Sequence, residues 1–132
     1  MEGFTRLDEN AISRIVVDSA IEVHRTLGGP GLLESVYQQA LAWDLEQRGL
    51  VVEREKSVPI VYKGQVLATP LRVDLIINDL VIVECKATLE NNPIFAAQTL
   101  TYLRLTNLKL GMLINFGKQF VKNGIQRVVN GL

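Results

Sequence analysis

The sequence has little cysteine and no long apolar run, and each shortage excludes a class of protein. Its single cysteine, Cys85, cannot form an intramolecular disulfide and is typical of a reducing cytosol. No apolar run approaches the roughly 18 residues that a membrane span needs. The first eight residues lack the basic and apolar regions of a signal peptide. We therefore expect a cytoplasmic protein without a signal peptide.

Acidic residues are absent from the last third of the chain. Residues 1–90 contain nine Lys and Arg against fourteen Asp and Glu, whereas residues 91–132 contain five Lys and Arg and no acid. Because the net charge is zero, the chain as a whole has no general attraction for nucleic acid. The uneven distribution indicates either a face that binds a polyanion or a basic part that pairs with the acidic part.

Length and composition predict one domain, residues 1–132. A chain of 132 residues buries roughly two-thirds of the surface that it exposes when unfolded. The hydrophobic fraction of 48% and the charged fraction of 21% are those of an ordinary soluble globular protein. The sequence contains no internal repeat, linker or low-complexity segment.

Hydrophobic periodicity predicts three helices and a set of strands. Apolar residues at three- and four-residue spacing, with glycine after the first two runs, predict helices over residues 10–27, 32–48 and 94–105. Apolar runs bounded by turn residues predict strands over residues 51–55, 58–62, 66–77, 80–87, 109–116 and part of 120–129. The order α-α-β-β-β-β-α-β-β predicts an α/β fold, with a mixed central sheet flanked by helices.

Local signals refine several of these elements. Residues 63–65 are predicted to form a hairpin turn. Pro70 lies inside the predicted strand 66–77 and indicates an edge strand or a bend. Asp8 or Asn10 is expected to cap the first helix.

Three charged residues interrupt the two apolar strands between residues 73 and 87. A strand that is apolar on both sides is usually buried in a sheet, where Asp74, Glu84 and Lys86 are costly unless they are paired or bind a ligand. Glu84 and Lys86 are two residues apart and project from one face, while Cys85 faces the other side and packs as a small hydrophobic residue. The pattern predicts either a cross-strand charge cluster, in which Lys86 pairs with an acid, or a metal site.

The register of this hairpin determines whether the two acids meet. If Asp74 opposes Glu84, their carboxylates share one face. That register places Ile77 opposite Val81 and leaves the loop 78–80, whose Asn and Asp tolerate a left-handed conformation. A two-residue turn would send Glu84 to the opposite face. We predict the three-residue loop, or a bulge with the same effect.

Two carboxylates at this separation favour a divalent cation. With Cβ atoms about 5 Å apart, they raise each other's pKa. Mg²⁺ or Mn²⁺ removes the repulsion and keeps several waters, one of which can act as a nucleophile while the cation polarises a phosphoryl oxygen. Asp74 and Glu84 are the predicted metal ligands, with the backbone carbonyl of Cys85 as a further ligand. Lys86 would hold the attacking water or neutralise charge in the transition state.

Five residues outside the hairpin are further candidates, each with a structural alternative. Gln98 and Tyr102 lie four apart on the third helix and share a face, which a half-buried amphipathic helix would also explain. Glu34 and Tyr37 share a face of the second helix, but Glu34 also suits a helix N-terminus and Tyr37 also suits the core. His24 is a candidate metal ligand, or a structural residue at the edge of an apolar stripe.

Three of these patterns resemble motifs of known families. Gly31-x-x-Glu34-x-x-Tyr37 matches the signature of the GxxExxY family. Asp74, Glu84 and Lys86 together resemble the core motif of the PD-(D/E)XK nuclease superfamily. Gln98-x-x-x-Tyr102 resembles the Q-x-x-x-Y motif of its RecB-like exonuclease branch. The resemblance covers residues 12–116, with Val73 at the position of the proline that names the superfamily.

The resemblance implies a restriction-endonuclease-like core of order α-β-β-β-α-β, with the active site at a bent central hairpin. It implies catalytic roles for residues of the hairpin and of two helices, namely Glu34, Asp74, Glu84, Lys86, Gln98 and Tyr102. Asp74 and Glu84 would bind Mg²⁺ or Mn²⁺, with Glu34 and His24 as further candidate ligands. Gln98 and Tyr102 would orient the site or contact nucleic acid.

We therefore expect a metal-dependent nuclease that hydrolyses DNA phosphodiester bonds. Low sequence specificity is expected because the chain has no recognition helix or base-reading motif. Basic residues of the last third would hold the phosphate backbone, namely Arg104, Lys109, Lys118, Lys122 and Arg127. The alternative is a catalytically silent nuclease-fold module that binds nucleic acid or a protein partner. A homodimer that uses the exposed edge of the terminal strand is also considered.

Overall fold

The computed structural model describes residues 6–132, so the expectation of no signal peptide rests partly on residues outside the described ones. Two helices lie on one face of a five-stranded sheet and a third lies on the other face. In chain order the elements are α1 Glu9–Thr26, α2 Glu34–Gln47, β1 Val52–Val58, β2 Val61–Tyr62, β3 Gln65–Val66, β4 Leu71–Ile77, β5 Val81–Lys86, α3 Pro93–Thr106, β6 Leu110–Asn115 and β7 Ile125–Val129. A 3-10 turn, Val121–Gly124, precedes β7.

The three predicted helices are confirmed, and each begins and ends within two residues of the expected position. Asp8 caps α1, because its side chain accepts a hydrogen bond of 2.8 Å from the N–H of Ala11. The side chain of Asn92 caps the start of α3 in the same way, and Asn107, in the left-handed conformation, is its C-cap. No helix within residues 6–132 combines the length and the apolar character that crossing a bilayer requires.

The main sheet has the strand order β1-β4-β5-β6-β7, with β5 and β6 parallel and the other neighbours antiparallel. The central strand β5 is buried on both faces, as its apolar run predicts. Val83 and Cys85 pack against α1 and α2, whereas Ile82 packs toward α3. The predicted mixed α/β sheet flanked by helices is therefore confirmed.

Two prolines make the chain between β1 and β4 different from the prediction. The predicted strands 51–55 and 58–62 are wrong in extent, because residues 52–58 form one strand that ends directly before Pro59. The predicted strand 66–77 is also wrong, because Pro70 cannot donate to a ladder and only residues 71–77 pair in the main sheet. Residues 61–66 instead form a separate small hairpin, β2–β3.

β1 is kinked where it faces the middle of β4. Glu55 has a φ of 51°, which lies in the left-handed region that a non-glycine residue in a strand rarely adopts. The neighbouring pairs of the ladder place Glu55 opposite Asp74. Side chains two apart on a strand normally share a face, yet Val73 packs on the α3 side and Leu75 on the side of α1 and α2. Asp74 therefore lies at the point where the regular alternation of the β4 side chains between the two faces of the sheet is interrupted.

Candidate active site

The hairpin of β4 and β5 has the predicted three-residue loop. Ile77 pairs with Val81, so that residues 78–80 connect the strands, and both Asn78 and Asp79 adopt positive φ, 52° and 55°. Leu75 pairs with Val83, which places the next residues, Asp74 and Glu84, opposite each other. The predicted register is confirmed.

The main-chain ladder between β4 and β5 ends at the pair of Leu75 and Val83. Next to it, the side chains of Asp74 and Glu84 accept hydrogen bonds from main-chain N–H groups of the opposite strand. The N–H of Asp74 donates to Oε2 of Glu84 at 2.9 Å. The N–H of Cys85 donates to Oδ2 of Asp74, also at 2.9 Å. Each carboxylate is therefore fixed by the main chain of the opposite strand.

Each of these carboxylates also keeps one oxygen open. Among the described residues, Oδ1 of Asp74 and Oε1 of Glu84 have no hydrogen-bond partner. No fully buried side-chain oxygen or nitrogen in the same part of the chain lacks a partner. The two free oxygens must therefore be accessible to solvent. Two adjacent carboxylate oxygens are the kind of donor that Mg²⁺ and Mn²⁺ prefer.

Burial raises the pKa of both acids when no cation is present. Glu84 is 7% exposed, and its burial, followed by the nearby charge of Asp74, raises its pKa to about 8. Burial also raises the pKa of Asp74, although the N–H of Cys85 and the ammonium of Lys86 oppose this effect. A cation at the free oxygens would favour the charged form of both groups.

Lys86 is near the acids without pairing with either. Its Nζ lies 4.6 Å from the centre of the Phe95 ring on α3. Between residues 6 and 132, no ion pair of 4.0 Å or less joins Lys86 to a carboxylate, so the cross-strand pairing considered above is not formed. Its charge nevertheless lowers the pKa of Asp74, Glu84 and Glu34. The ammonium is therefore close to the acids and is supported by an aromatic ring.

Glu34 joins this cluster from the first turn of α2. Burial raises its pKa, and its charge in turn raises the pKa of Glu84. The loop before it is held by Tyr37, whose hydroxyl donates to the carbonyl of Gly29 at 2.7 Å and accepts from the N–H of Leu32 at 3.2 Å. Tyr37 is thus a core residue, as its structural alternative predicts, and it also positions the segment that leads into Glu34.

α3 brings Tyr102 to the same cluster. Burial raises the pKa of its phenol, and the charges of Glu84 and Asp74 raise it further. Gln98 lies one turn earlier, is exposed, and has no side-chain hydrogen bond within residues 6–132. Phe95 was not singled out by the sequence, although its spacing of three and seven residues to Gln98 and Tyr102 places it on their face.

His24 is held in the core instead of at the acids. Its Nε2 lies 3.2 Å from the carbonyl oxygen of Phe116, and its ring centre lies 6.4 Å from that of Tyr37. A carbonyl oxygen only accepts, so Nε2 must carry a proton and is unavailable to a metal in this arrangement. These contacts fit the structural alternative for His24, and its role as a ligand stays a prediction.

A cation at this site would have few side-chain ligands. No group of three or more His, Cys, Asp or Glu side chains in residues 6–132 is arranged as a metal site. The carboxylates of Asp74 and Glu84 and the main-chain carbonyl of Cys85 remain as donors, and water would complete the shell. That donor set suits Mg²⁺, which usually keeps several waters.

Asn115 ties together two loops that border the site, and the sequence analysis missed it. Its Oδ1 accepts from the N–H groups of Thr88 and Gly117 at 3.0 and 2.9 Å, and its Nδ2 donates to Asn91 Oδ1 at 3.1 Å. Gly117 has no room for a side chain, because the main chain of Thr88 passes beside it. A polar residue that ends the fully buried strand β6 is the sequence signal that could have found it.

Comparison with known proteins identifies the superfamily of the chain and supports its fold. The family model of the PD-(D/E)XK nuclease superfamily matches residues 10–128, and the chain belongs to this superfamily. No curated protein is significantly similar to it in sequence. A solved structure described as "Crystal structure of SSO0001" shares the fold, with a TM-score of 0.57 and 22% identity over 94% of this chain and 57% of that chain. The likeness supports the restriction-endonuclease-like fold, and this chain spans little more than half of that one.

Proposed function

We propose that this protein is a divalent-metal-dependent nuclease that hydrolyses DNA phosphodiester bonds with low sequence specificity. The observation that carries the proposal is the opposed pair Asp74 and Glu84, each fixed by a main-chain N–H and each with one open oxygen. Membership of the nuclease superfamily supports this chemistry. The open oxygens, with the carbonyl of Cys85, would hold Mg²⁺ or Mn²⁺.

The residues around the pair have complementary roles in this proposal. When bound, the cation would supply positive charge to the phosphoryl oxygens and lower the pKa of water. Lys86 orients the attacking water or offsets the charge that develops on the phosphate. Glu34, whose pKa is raised by partial burial, is an acidic helper of the pair in this proposal. Tyr102 and Gln98 orient the site or contact the nucleic acid.

Within the superfamily, we place the chain in the GxxExxY group and the RecB-like branch. Support for the first comes from Gly31, whose φ of 115° favours glycine, and from the hydroxyl of Tyr37, which holds the loop before Glu34. Support for the second comes from Gln98 and Tyr102 on one face of α3. A cytoplasmic location and a homodimer through the edge of β7 are further parts of this proposal.

The proposal is tested by cleavage of plasmid, linear duplex and single-stranded DNA with Mg²⁺, Mn²⁺ or EDTA. We expect cleavage with either cation and none in EDTA. Asp74→Asn, Glu84→Gln and Lys86→Met should each lower the rate by about 10²-fold or more. Asp79→Asn, in the exposed loop at the other end of the same hairpin, is the matched control and should cleave like the wild type.

Two results would contradict the proposal. Cleavage that survives both Glu84→Gln and Lys86→Met would show that other residues perform the reaction. Mn²⁺ binding measured by calorimetry, without cleavage of any nucleic acid, would favour the catalytically silent module instead.

A further inference from the structure

Three neighbouring cavities form a path across the surface, which we call the trough. The first, of about 490 Å³, lies between residues 28–29 and residues 119–122. The second, of about 380 Å³, continues between residues 30–32 and residues 87–89. The third, of about 570 Å³, is lined by residues 88–93 and Phe95. The first two are lined by successive residues of the loop after α1, Gly29 and Pro30, and the last two share Thr88 and Leu89, so each cavity adjoins the next.

One end of the trough reaches the candidate active site. Phe95 lines the third cavity, and the Nζ of Lys86 lies 4.6 Å from its ring. The middle of the trough passes the loop before Glu34, which Tyr37 holds through Gly29 and Leu32. A chain lying in the trough would therefore arrive beside the cluster of acids and the lysine.

The other end of the trough presents an aromatic ring beside free positive charge. Phe120 is 63% exposed, so its ring is open to a ligand. Lys122 lines the same cavity, and no ion pair joins it to an acid within the described part of the chain. Arg25 is also there, although it pairs with Glu22. An exposed aromatic ring with a lysine beside it is the combination with which proteins bind single-stranded nucleic acid.

The two ends of the trough differ in charge. Residues 91–132 contain no Asp or Glu, and none of their five cations forms an ion pair with an acid in residues 6–90. The alternative in which the basic third pairs with the acidic part is therefore not formed among these residues. Glu90 lines the third cavity, so the attraction for a polyanion is concentrated at the end where Phe120 lies.

We propose that the trough binds one single strand of nucleic acid and leads it from Phe120 to Lys86. A base stacks on the Phe120 ring and a neighbouring phosphate contacts Lys122. Each cavity is in the range of about 300–1,000 Å³ that holds a small ligand, which suits one nucleotide at a time and not a duplex. The inference rests on the proposed nuclease function and names its substrate class, a single strand or the frayed end of a duplex.

The experiment is a binding measurement on the full chain in EDTA, so that cleavage does not interfere. Fluorescence anisotropy compares a labelled single-stranded oligonucleotide with the same sequence as a blunt duplex. We expect tighter binding of the single strand. Phe120→Ala should weaken that binding about tenfold, whereas Phe120→Trp should preserve it. The matched control is Trp43→Ala, because Trp43 is 62% exposed on α2, outside the trough, and its loss should change nothing.

A second pair of variants tests the phosphate contact. Lys122→Ala should weaken binding and reduce its salt dependence by about one counterion. Lys63→Ala, on the hairpin β2–β3 outside the trough, removes an exposed cation and should leave the salt dependence unchanged. Circular dichroism of each variant establishes that it is folded.

Several outcomes would overturn the trough. Phe120→Ala could bind the single strand as tightly as the wild type does. Trp43→Ala could lose as much affinity as Phe120→Ala. The wild type could bind the duplex more tightly than the single strand. Binding that depends on Phe120 without any cleavage would support the trough and reject the nuclease. Cleavage that depends on Glu84, with no effect of Phe120→Ala on binding, would support the nuclease and reject the trough.

Discussion

The main-chain N–H of Asp74 donates a hydrogen bond of 2.9 Å to Oε2 of Glu84, so the two acids are joined before any ligand binds. The reciprocal bond runs from the N–H of Cys85 to Oδ2 of Asp74. The kink at Glu55 lies directly opposite Asp74 and marks the place where the side chains of β4 change face. The carboxylates are therefore positioned by the fold of the strands, as a preorganised site requires.

Burial of Glu84 predicts that the metal-free protein loses stability as the pH rises. Its pKa in the folded state, about 8, is above its ordinary value of 4.5, so the folded state keeps a proton that the unfolded state releases. The free energy of unfolding should therefore fall between pH 4.5 and about pH 8, and this group adds no further change outside that window. At about 1.4 kcal/mol per pKa unit, the fall is on the order of 5 kcal/mol at most.

Urea unfolding in EDTA, followed by circular dichroism across this pH range, measures the effect. Glu84→Gln carries no titratable group there and should lose less stability with rising pH. Burial also raises the pKa of Asp74 and of Glu34, so the difference between wild type and variant measures the titration of Glu84 together with its coupling to these two groups. Two parallel stability curves would show that Glu84 titrates normally.

The same pKa predicts that binding of a divalent cation at pH 7 releases a proton. Glu84 is largely protonated at pH 7 in the folded protein, since its pKa is about 8, whereas a metal ligand must be charged. About one proton should leave per Mn²⁺ bound at pH 7, and the number should decrease above pH 8. Titration calorimetry in two buffers with different ionisation enthalpies counts the protons. Normal Mn²⁺ binding without proton release would mean that Glu84 is already charged or is no ligand.

The register of the central hairpin could be predicted from the sequence because a strand has a period of two. A shift of one residue would move Glu84 to the opposite face, so the requirement that Asp74 and Glu84 meet selected one loop length. The Asn and Asp of the loop 78–80 then gave an independent reason for that length, and both adopt the left-handed conformation. The turn-forming residues and the need for Asp74 and Glu84 to meet therefore both predicted a three-residue loop.

The kink at Glu55 and the separation of the hairpin β2–β3 from the main sheet could not be predicted in this way. A left-handed glutamate in a strand has no sequence signal, because the side chains that contact it are far away in the sequence. Arg72 lies 3.9 Å from Glu55 and Gln38 lies 3.5 Å from it. The turn of this hairpin was predicted at residues 63–65, but the apolar run beyond residue 66 favoured one continuous strand, in which Pro70 indicated only an edge or a bend. At Glu55 tertiary contacts, and not local propensity, accompany the unusual backbone.

Tyr37→Phe should lower both the stability of the fold and the rate of cleavage. The substitution keeps the ring that stacks on Phe116 at 4.7 Å but removes the hydroxyl that bonds to Gly29 and Leu32. Loss of these hydrogen bonds should lower the free energy of unfolding by about 1–2 kcal/mol. The loop before Glu34 is then held less firmly, so cleavage should fall several-fold at temperatures where the variant is still folded.

Urea unfolding and the plasmid cleavage assay measure the two effects of Tyr37→Phe. Tyr62→Phe is the control, because Tyr62 lies exposed on the hairpin β2–β3 and its hydroxyl has no hydrogen bond among the described residues. A Tyr37→Phe protein with wild-type stability would remove the basis for this role.

Phe95→Leu should slow cleavage without weakening metal binding. The ring of Phe95 faces the ammonium of Lys86, and a cation over an aromatic ring gains about 0.5–2 kcal/mol. Leucine keeps an apolar side chain of similar size but gives no such attraction, so the cleavage rate should fall about tenfold. Mn²⁺ affinity should be unchanged, because main-chain N–H groups hold the carboxylates of Asp74 and Glu84.

A second cation and ring provide the matched control for this substitution. Lys63 lies 5.4 Å from the ring of Tyr62 on the hairpin β2–β3, so Tyr62→Leu removes the same kind of contact outside the candidate site. Cleavage by Tyr62→Leu should equal that of the wild type, and Phe95→Tyr should restore most of the rate that Phe95→Leu loses. If Phe95→Leu cleaves as fast as the wild type, the ring does not position Lys86, and the lysine must be held by the substrate itself.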